Sequence, residues 1–444
     1  MIFFTTAAAA QEAGFRPCLR CRPETAPNLA AWRGTSNTVC RALSLIDAGA
    51  LDESGVERLA ERLGVGERQL RRLFHEHLGA SPVAVAQTRR VLLALQLLRE
   101  THLPMADVAL AAGFTSIRRF NEVFQGLFAR PPGALRRGGS CATESGLNGV
   151  VCILLRYRPP YDWPSMRRFL RARAIPGVET IASDRYARTI EIDGVHGIVV
   201  VEPTTGDALK ATIHFPRLSA LPAIIGRLRR VFDLEADPQA IGAQLAEDPL
   251  LAPLVRARPG LRVPGAWDGF ELAVRAVLGQ QISVTAAAGL AAKLVAAYGA
   301  PLSPPTGPVD GLTHVFPRPE WLASAAAVTP GMPQRRAQAL RALAAAVTSD
   351  SAILTAGQHP TECLTRLRAI PGIGEWTAQY IAMRELREPD AFPADDAGLR
   401  RALTPREERR PTPRELIVRA EHWRPWRAYA AQHLWAALAD GHDR

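Results

Sequence analysis

The run Leu367-Arg368-Ala369-Ile370-Pro371-Gly372-Ile373-Gly374-Glu375-Trp376-Thr377-Ala378-Gln379-Tyr380, followed by Phe392-Pro393-Ala394-Asp395-Asp396, carries the chemistry most legible in this chain. The spacing predicts a helix that ends at Pro371-Gly372, a tight Gly-Ile-Gly turn, and a second helix from Glu375. Two glycines let the backbone turn sharply and bring its amides close to a ligand. Those amides and the dipole of the following helix make a seat for phosphate. The carboxylate pair Asp395-Asp396 follows one helix and one loop later. Trp376 and Tyr380 stand one turn apart and share a helix face. A phosphate seat, aromatic rings and a carboxylate so close together suggest a protein that holds a DNA backbone and acts on its sugar.

The elements that position these residues belong to a long chain. Its 444 residues, 47% of them hydrophobic, exceed one core and suggest about three domains. The formal net charge is +11, almost all from arginine, since Lys210 and Lys293 are the only lysines. Arginine-rich composition also follows from a GC-rich genome, but the excess charge favours a polyanionic partner, with DNA first. No apolar run is long enough to span a bilayer. Met1 to Ala10 lacks a basic stretch and a cleavage pattern, so it reads poorly as a signal peptide. Cys18, Cys21, Cys40, Cys141, Cys152 and Cys363 are scattered apart from one Cys-x-x-Cys. That is not a disulfide framework, and a cytoplasmic, nucleoid-associated location is expected.

Along the chain, residues 36–137 read as short amphipathic helices in two similar halves. Residues 138–149 are small and polar, a linker composition. Between Ala187 and Phe215 the pattern changes to strands, with Thr189–Ile192 alternating, Asp193-Gly194 as a hairpin turn, and Ile198–Val201 and Ala211–Phe215 following. From about Ser219 the chain returns to Ala- and Leu-rich helices.

Two helix-turn-helix patterns stand in the first half. Leu59–Val65 leads through a glycine turn into Glu67–Phe74, and Val108–Phe114 leads into Ser116–Phe124. Leu59, Leu63, Val65, Leu70 and Leu73 are expected to pack the first pair, leaving Arg68, Gln69, Arg71 and Arg72 on a major-groove face. Arg118 and Arg119 take the matching place in the second. Two such units ending in Phe128-Ala129-Arg130-Pro131-Pro132 resemble the AraC-type DNA-binding domain. Cys18-Leu19-Arg20-Cys21 and its surroundings resemble the end of the zinc-binding, methyl-accepting domain of Ada alkylation-response proteins. Cys18 and Cys21 supply two of the four ligands a structural zinc needs. An incomplete zinc site without methyl transfer is therefore expected, with Cys40 as a weak substitute ligand.

Residues 150 to 440 resemble the AlkA-type 3-methyladenine DNA glycosylase II family, within the helix-hairpin-helix glycosylases. Segments carrying the resemblance include Pro160–Trp163 with Phe169, Arg258–Gly265, Leu278–Ser283, the Gly-Ile-Gly turn, Pro393–Asp396, Trp423–Arg427 and His433–Trp435. The expected fold is multidomain and mainly α: an AraC-type double helix-turn-helix, a small α+β domain with an antiparallel sheet, and an all-α helix-hairpin-helix glycosylase domain. The expected segments are 1–28 as a truncated Ada-like remnant, 36–137 as the AraC-type domain, 138–149 as linker, 150–235 as the α+β domain and 236–444 as the glycosylase domain.

The resemblance implies hydrolysis of the N-glycosidic bond of alkylated purines, 3-methyladenine and 7-methylguanine. By position after the hairpin, Asp396 matches the family's catalytic aspartate, with helix capping as its competing reading, while Asp395 reads as a helix N-cap. Trp376 occupies the place of the Schiff-base lysine of glycosylases that also cut the strand, so a monofunctional enzyme without lyase activity is implied. Trp376, Tyr380, Trp435 and Phe169 are the expected base pocket, suited to a cationic base; core packing competes for Phe169 and Tyr380. Gly372, Ile373, Gly374 and Thr377 would hold the DNA backbone. Gln281 stands at the wedge position, where the best-known member has an apolar side chain, and Ala397 replaces an aromatic. Arg400 and Arg401 read equally as phosphate contacts or a solvated face.

No cofactor is expected for catalysis, with a monovalent cation at the hairpin carbonyls in a structural role. The expected partners are double-stranded DNA with alkylated bases and promoter DNA. No membrane partner is expected, and the chain is read as a monomer. The alternative is a transcriptional regulator of the alkylation response whose glycosylase-like half only binds DNA. A metal-dependent nuclease lacks clustered acids, and an iron–sulfur adenine glycosylase lacks the four cysteines.

Overall fold

A computed structural model describes residues 3–17, 37–47, 49–52, 54–136, 149–302, 309–324, 332–354, 360–404 and 409–442. Cys18, Cys21 and the linker at 138–148 lie outside the described residues.

In the first helix-turn-helix, Val56–Leu63 ends on Gly64 in the left-handed region, and Glu67–Leu78 follows. Leu59, Leu63 and Leu70 are buried between them, while Val65 and Leu73 are half-buried at the margin. The second unit pairs Met105–Ala111 with Ile117–Phe128. Its turn needs Gly113: φ is +87, and a Cβ there would lie 2.5 Å from Asp52 Oδ2. Asp52 in turn accepts from Arg89 and Arg90. Those arginines lie on the helix Pro82–Glu100, which joins the two units and is capped by Ser81. The N-terminal helix Ala7–Glu12 lies against that helix, and Glu12 accepts from the backbone and hydroxyl of Ser81.

The sheet comprises β1 (Val150–Arg156), β2 (Glu179–Ala182), β3 (Arg185–Ile192), β4 (Val195–Thr204) and β5 (Ala208–His214). It is antiparallel throughout, in the order β1-β5-β4-β3-β2. Asp193 and Gly194 turn between β3 and β4 with φ of 48° and 76°, the mirror-image turn that suits strand twist. Strands β1 and β2 were not anticipated from sequence. Val150–Leu155 is a continuous apolar run without alternation, and Glu179–Ala182 is only 4 residues long.

The edge of β1 is not left open. Gln96 and Glu100, both buried on the long helix, reach the Leu154 backbone: the Gln96 amide donates to its carbonyl at 2.9 Å, and Glu100 accepts its N–H at 2.8 Å. Two side chains thus replace a neighbouring strand, which is one way to protect a sheet edge. One apolar cluster runs from Val91 and Phe124 through Val151 and Ile213 to Trp267, so the second helix-turn-helix unit and the sheet share a core.

The sheet is tied to the helical half by charge. Arg188 on β3 reaches Glu271 at 2.7 Å, and Arg275 reaches Glu271 at 2.6 Å and Glu179 at 2.5 Å. Glu271 and Arg275 lie on Gly269–Leu278, the helix that leads into the loop beside the hairpin. Two helical cores follow. One holds Phe270, Val274, Leu340 and Leu343; the other holds Phe392, Trp423, Tyr429 and Leu434. The hairpin's second helix, Glu375–Arg384, gives Ala378 and Ile381 to the first and Ala382 and Met383 to the second. It is therefore gripped on two sides.

Glu100→Ala is expected to lower unfolding stability by about 1–3 kcal/mol, because it strands the Leu154 N–H in a buried place and removes one of two acceptors of the Gln96 amide. Exposed Glu76→Ala should change it by less than ~0.5 kcal/mol. Denaturant unfolding of both variants checks the contrast.

Candidate active site

Asp396 is the N-cap of the helix Ala397–Ala402. Its Oδ1 accepts the Leu399 N–H at 2.8 Å and the Trp435 indole N–H at 2.9 Å. Its Oδ2 accepts the Trp376 indole N–H at 2.9 Å. The capping role expected of Asp395 thus falls to Asp396. Asp395 points to solvent, with Arg400 at 3.8 Å. Gly398 makes this arrangement sterically feasible: a Cβ there would lie 2.8 Å from Asp396 Oδ1 and 3.3 Å from the Trp435 ring.

The rings assemble around this carboxylate. Trp376 and Tyr380 stack with centroids 5.3 Å apart and planes 11° from parallel. Tyr380 meets Trp435 edge-on at 6.4 Å. They line a cleft of about 1200 Å³ together with Asp396, Phe169, Arg173 and Gln281. Phe169 faces the same cleft, but its ring carries the Arg173 guanidinium at 3.8 Å and that of Arg384 at 4.7 Å. Arg384 donates to the Tyr380 hydroxyl at 2.7 Å. Burial pushes the Tyr380 pKa up, but Arg384 and Arg173 outweigh it and hold it below the ordinary phenol value.

In the hairpin only Gly372 adopts positive φ, at +90, and a Cβ there would lie 2.3 Å from Ala339 Cβ. Gly374 is extended and caps Glu375–Arg384, with open space where its Cβ would be. The acidic residue at that helix start, Glu375, is paired with Arg368 at 2.8 Å. Ile373 and Thr377 are buried. The Gln280 amide donates to the Gly372 carbonyl at 2.9 Å and to Thr377 Oγ1 at 3.0 Å, and Arg336 holds the Gln280 carbonyl at 2.7 Å. The following turn is therefore fixed to the hairpin. Gln281 lies exposed in it at φ 58, and the exposed apolar surface beside it is Ile282 and Val284. Arg400 donates to the Pro411 carbonyl at 2.9 Å, holding a loop, whereas Arg401 lines the cleft.

Far from the cleft in sequence, Arg68, Gln69, Arg71, Arg72, Arg118 and Arg119 are all exposed on the second helices of their units. Arg71 pairs with Glu67, and Arg118 and Arg119 with Glu122. Such exposed pairs are weak and can be exchanged for phosphate. Among the described residues no cluster of His, Cys, Asp or Glu is arranged to hold a metal, and no helix is long and apolar enough to cross a membrane.

Family models match four segments in order: the metal binding domain of Ada over residues 1–24, a helix-turn-helix domain over 59–138, the AlkA N-terminal domain over 152–268, and the HhH-GPD superfamily of base excision DNA repair proteins over 274–428. A Mycobacterium tuberculosis protein named as a probable bifunctional transcriptional activator/DNA repair enzyme AlkA is 42% identical over 442 residues, covering 98% of this chain and 87% of that one. The chain belongs to the AlkA family. DNA-3-methyladenine glycosylase 2 of Escherichia coli is 37% identical over 289 residues, covering 63% of this chain and 95% of its own length. The solved 3-methyladenine DNA glycosylase of Archaeoglobus fulgidus shares the fold, with a TM-score of 0.55 at 23% identity, over 64% of this chain and 97% of that one.

Several residues of this AlkA-family cleft were not singled out from sequence: Gly398, Arg173, Arg384, Gln280 and Arg336. Gln280 lies within the Leu278–Ser283 motif, directly before Gln281. Arg173 and Arg384 stand one helical turn from Phe169 and Tyr380, and Gly398 two residues from Asp396, so local spacing holds their signal; Arg336 lies 56 residues from Gln280.

His433 lies two residues before Trp435 and is buried. Burial, with Arg258 nearby, lowers its pKa from 6.5 to about 4. A histidine with a depressed folded pKa contributes stability that is full above the unfolded value and lost as pH falls toward the folded one. Unfolding stability should therefore drop between pH 6.5 and about 4, by up to about 1.4 kcal/mol per unit. His433→Gln should show a shallower slope in denaturation at stepped pH.

Proposed function

We propose that this chain is a monofunctional DNA glycosylase that hydrolyses the N-glycosidic bond of alkylated purines, 3-methyladenine and 7-methylguanine, in double-stranded DNA. The observation that carries the reading is Asp396, held by two indole N–H groups and a backbone N–H at the rim of an aromatic cleft. As the C1′–N bond breaks, its electron pair leaves with the alkylated purine, which departs neutral. Positive charge develops on the sugar, and the Asp396 carboxylate stabilises it. Water then adds to C1′ and gives up a proton, with Asp396 positioned to direct it. At ~4 Å and an effective dielectric of about 20, opposite unit charges attract by about 4 kcal/mol, about a thousandfold in rate.

The other parts follow from this reading. Trp376, Tyr380 and Trp435 stack the extruded cationic base, and Phe169 seats an arginine behind them. Gly372, Ile373, Gly374 and Thr377 present the hairpin to a phosphate, with the Glu375–Arg384 dipole behind. Gln281, with Ile282 beside it, fills the gap left by the flipped base, whose extrusion costs a few kcal/mol. Trp376 where a lysine would be needed leaves no amine for a Schiff base, so strand cleavage is not part of the activity. The Ile370 carbonyl already accepts the Ile373 N–H and the Gly372 carbonyl accepts Gln280. A monovalent cation at the hairpin would share oxygens with those bonds, and catalysis uses no cofactor. The exposed arginine faces of residues 36–137 bind DNA, including promoter DNA, in a monomeric, cytoplasmic and nucleoid-associated protein. On this reading Cys18 and Cys21 hold no structural zinc.

Base release from methylated duplex DNA tests the reading. Asp396→Asn should lower release by about a thousandfold with DNA affinity preserved; equal release would remove Asp396 as the catalyst. Trp376→Phe and Trp435→Phe, which keep an aromatic ring but drop one N–H each, should lower kcat by about tenfold to a hundredfold. Borohydride should trap no protein–DNA adduct at any stage of turnover.

A further inference from the structure

The proposed reaction gives no task to an arginine that stands among the cleft's rings. Arg173 lines the cleft with Asp396, Trp376, Tyr380 and Trp435, at the end of the helix Trp163–Arg173. Arg384, which shares the Phe169 ring, is spent on structure: its Nε donates to the Pro264 carbonyl at 2.8 Å, and its two terminal nitrogens to the Gly265 carbonyl and the Tyr380 hydroxyl. Arg173 differs. Its guanidinium sits 3.8 Å from the centroid of Phe169 and makes one long contact of 3.4 Å to the Phe169 carbonyl. A guanidinium has five N–H donors in a rigid fork, so donors are left for a ligand in the cleft.

A positive group beside the seat of a cationic base repels it. What such a group supplies in return is a hydrogen bond to an acceptor. Guanine carries an acceptor, O6, where adenine carries a donor amine, N6. A site built to donate rejects the analogue that offers no acceptor, because its own donor is then left unpaired. We propose that Arg173 is a specificity-determining residue that donates to O6 of the extruded base and so favours alkylated guanines over alkylated adenines. The inference rests on the glycosylase reading given above. Stacking on Phe169 fixes the plane of the fork, and the contact to the Phe169 carbonyl limits its rotation, so the donors are ordered before the base arrives.

The test follows release of 7-methylguanine and 3-methyladenine by the full-length protein from the same methylated duplex DNA. Arg173→Met keeps the stem on Phe169 and removes the donors. It should lower kcat/KM for 7-methylguanine by about tenfold to a hundredfold and leave that for 3-methyladenine unchanged or raised. A second arm needs no variant: a duplex with 7-methyl-2-aminopurine, which lacks O6, should be processed by the wild type at least about tenfold more slowly than one with 7-methylguanine. Equal losses for both bases in Arg173→Met, or wild-type indifference to O6, would overturn the assignment. Failure of the wild type to release either base would instead remove the glycosylase reading on which it rests.

Discussion

The structure depends on one carboxylate that three chain segments hold at once. Asp396 takes an N–H from its own helix start, one from Trp376 on the hairpin helix and one from Trp435 on the final helix. No single bond of this kind is worth more than a few kcal/mol. Together they define where both oxygens lie, because each donor comes from a differently anchored element. A group meant to stabilise charge on a reacting atom gains most from being fixed beforehand, since no reorganisation is needed when the charge appears. The N-cap is thus a mounting as well as a helix start, and Gly398 is the residue whose lack of a side chain leaves room for it.

The mounting is only as rigid as its supports. The helix Glu375–Arg384 packs into two cores, which fixes Trp376 in rotation as well as position. Gln280 and Arg336 fasten the neighbouring turn to the hairpin, so the two loops hold one another in place. Behind that turn, Glu271 and Arg275 continue the connection to Arg188 and Glu179 in the sheet. The sheet's open edge is closed by Gln96 and Glu100 from the helix-turn-helix region. The described part of that region is thereby packed onto the same body through a shared apolar core.

Much of this was legible in the sequence where the signal is local. The Gly-Ile-Gly turn, the four-residue spacing of Trp376 and Tyr380, the Asp193-Gly194 turn and the paired helix-turn-helix patterns each follow from backbone geometry over a few residues. Signals failed where partners are distant or where a local rule has two answers. Either Asp395 or Asp396 can cap a helix, and only the placement of two tryptophans decides which does. Val150–Arg156 lacks alternation because both of its faces carry apolar side chains, with Val151, Ile153 and Leu155 in the shared core and Cys152 buried on the opposite side. Gly374 needed no special φ; its value lies in the open approach to a helix start. Phe169 read as a stacking surface, but its ring is occupied by arginine: Arg173 comes from the next turn of its own helix, whereas Arg384 comes from a distant helix that no spacing along the chain reveals.

The central claim is that Asp396 stabilises a sugar cation. Affinity for a duplex with a pyrrolidine in place of one deoxyribose, protonated where charge develops, measures that directly against the neutral tetrahydrofuran analogue. The account expects the cationic duplex to bind at least about tenfold more tightly to the wild type, and expects that preference to vanish in Asp396→Asn. An undiminished preference in the variant, or none in the wild type, would contradict it.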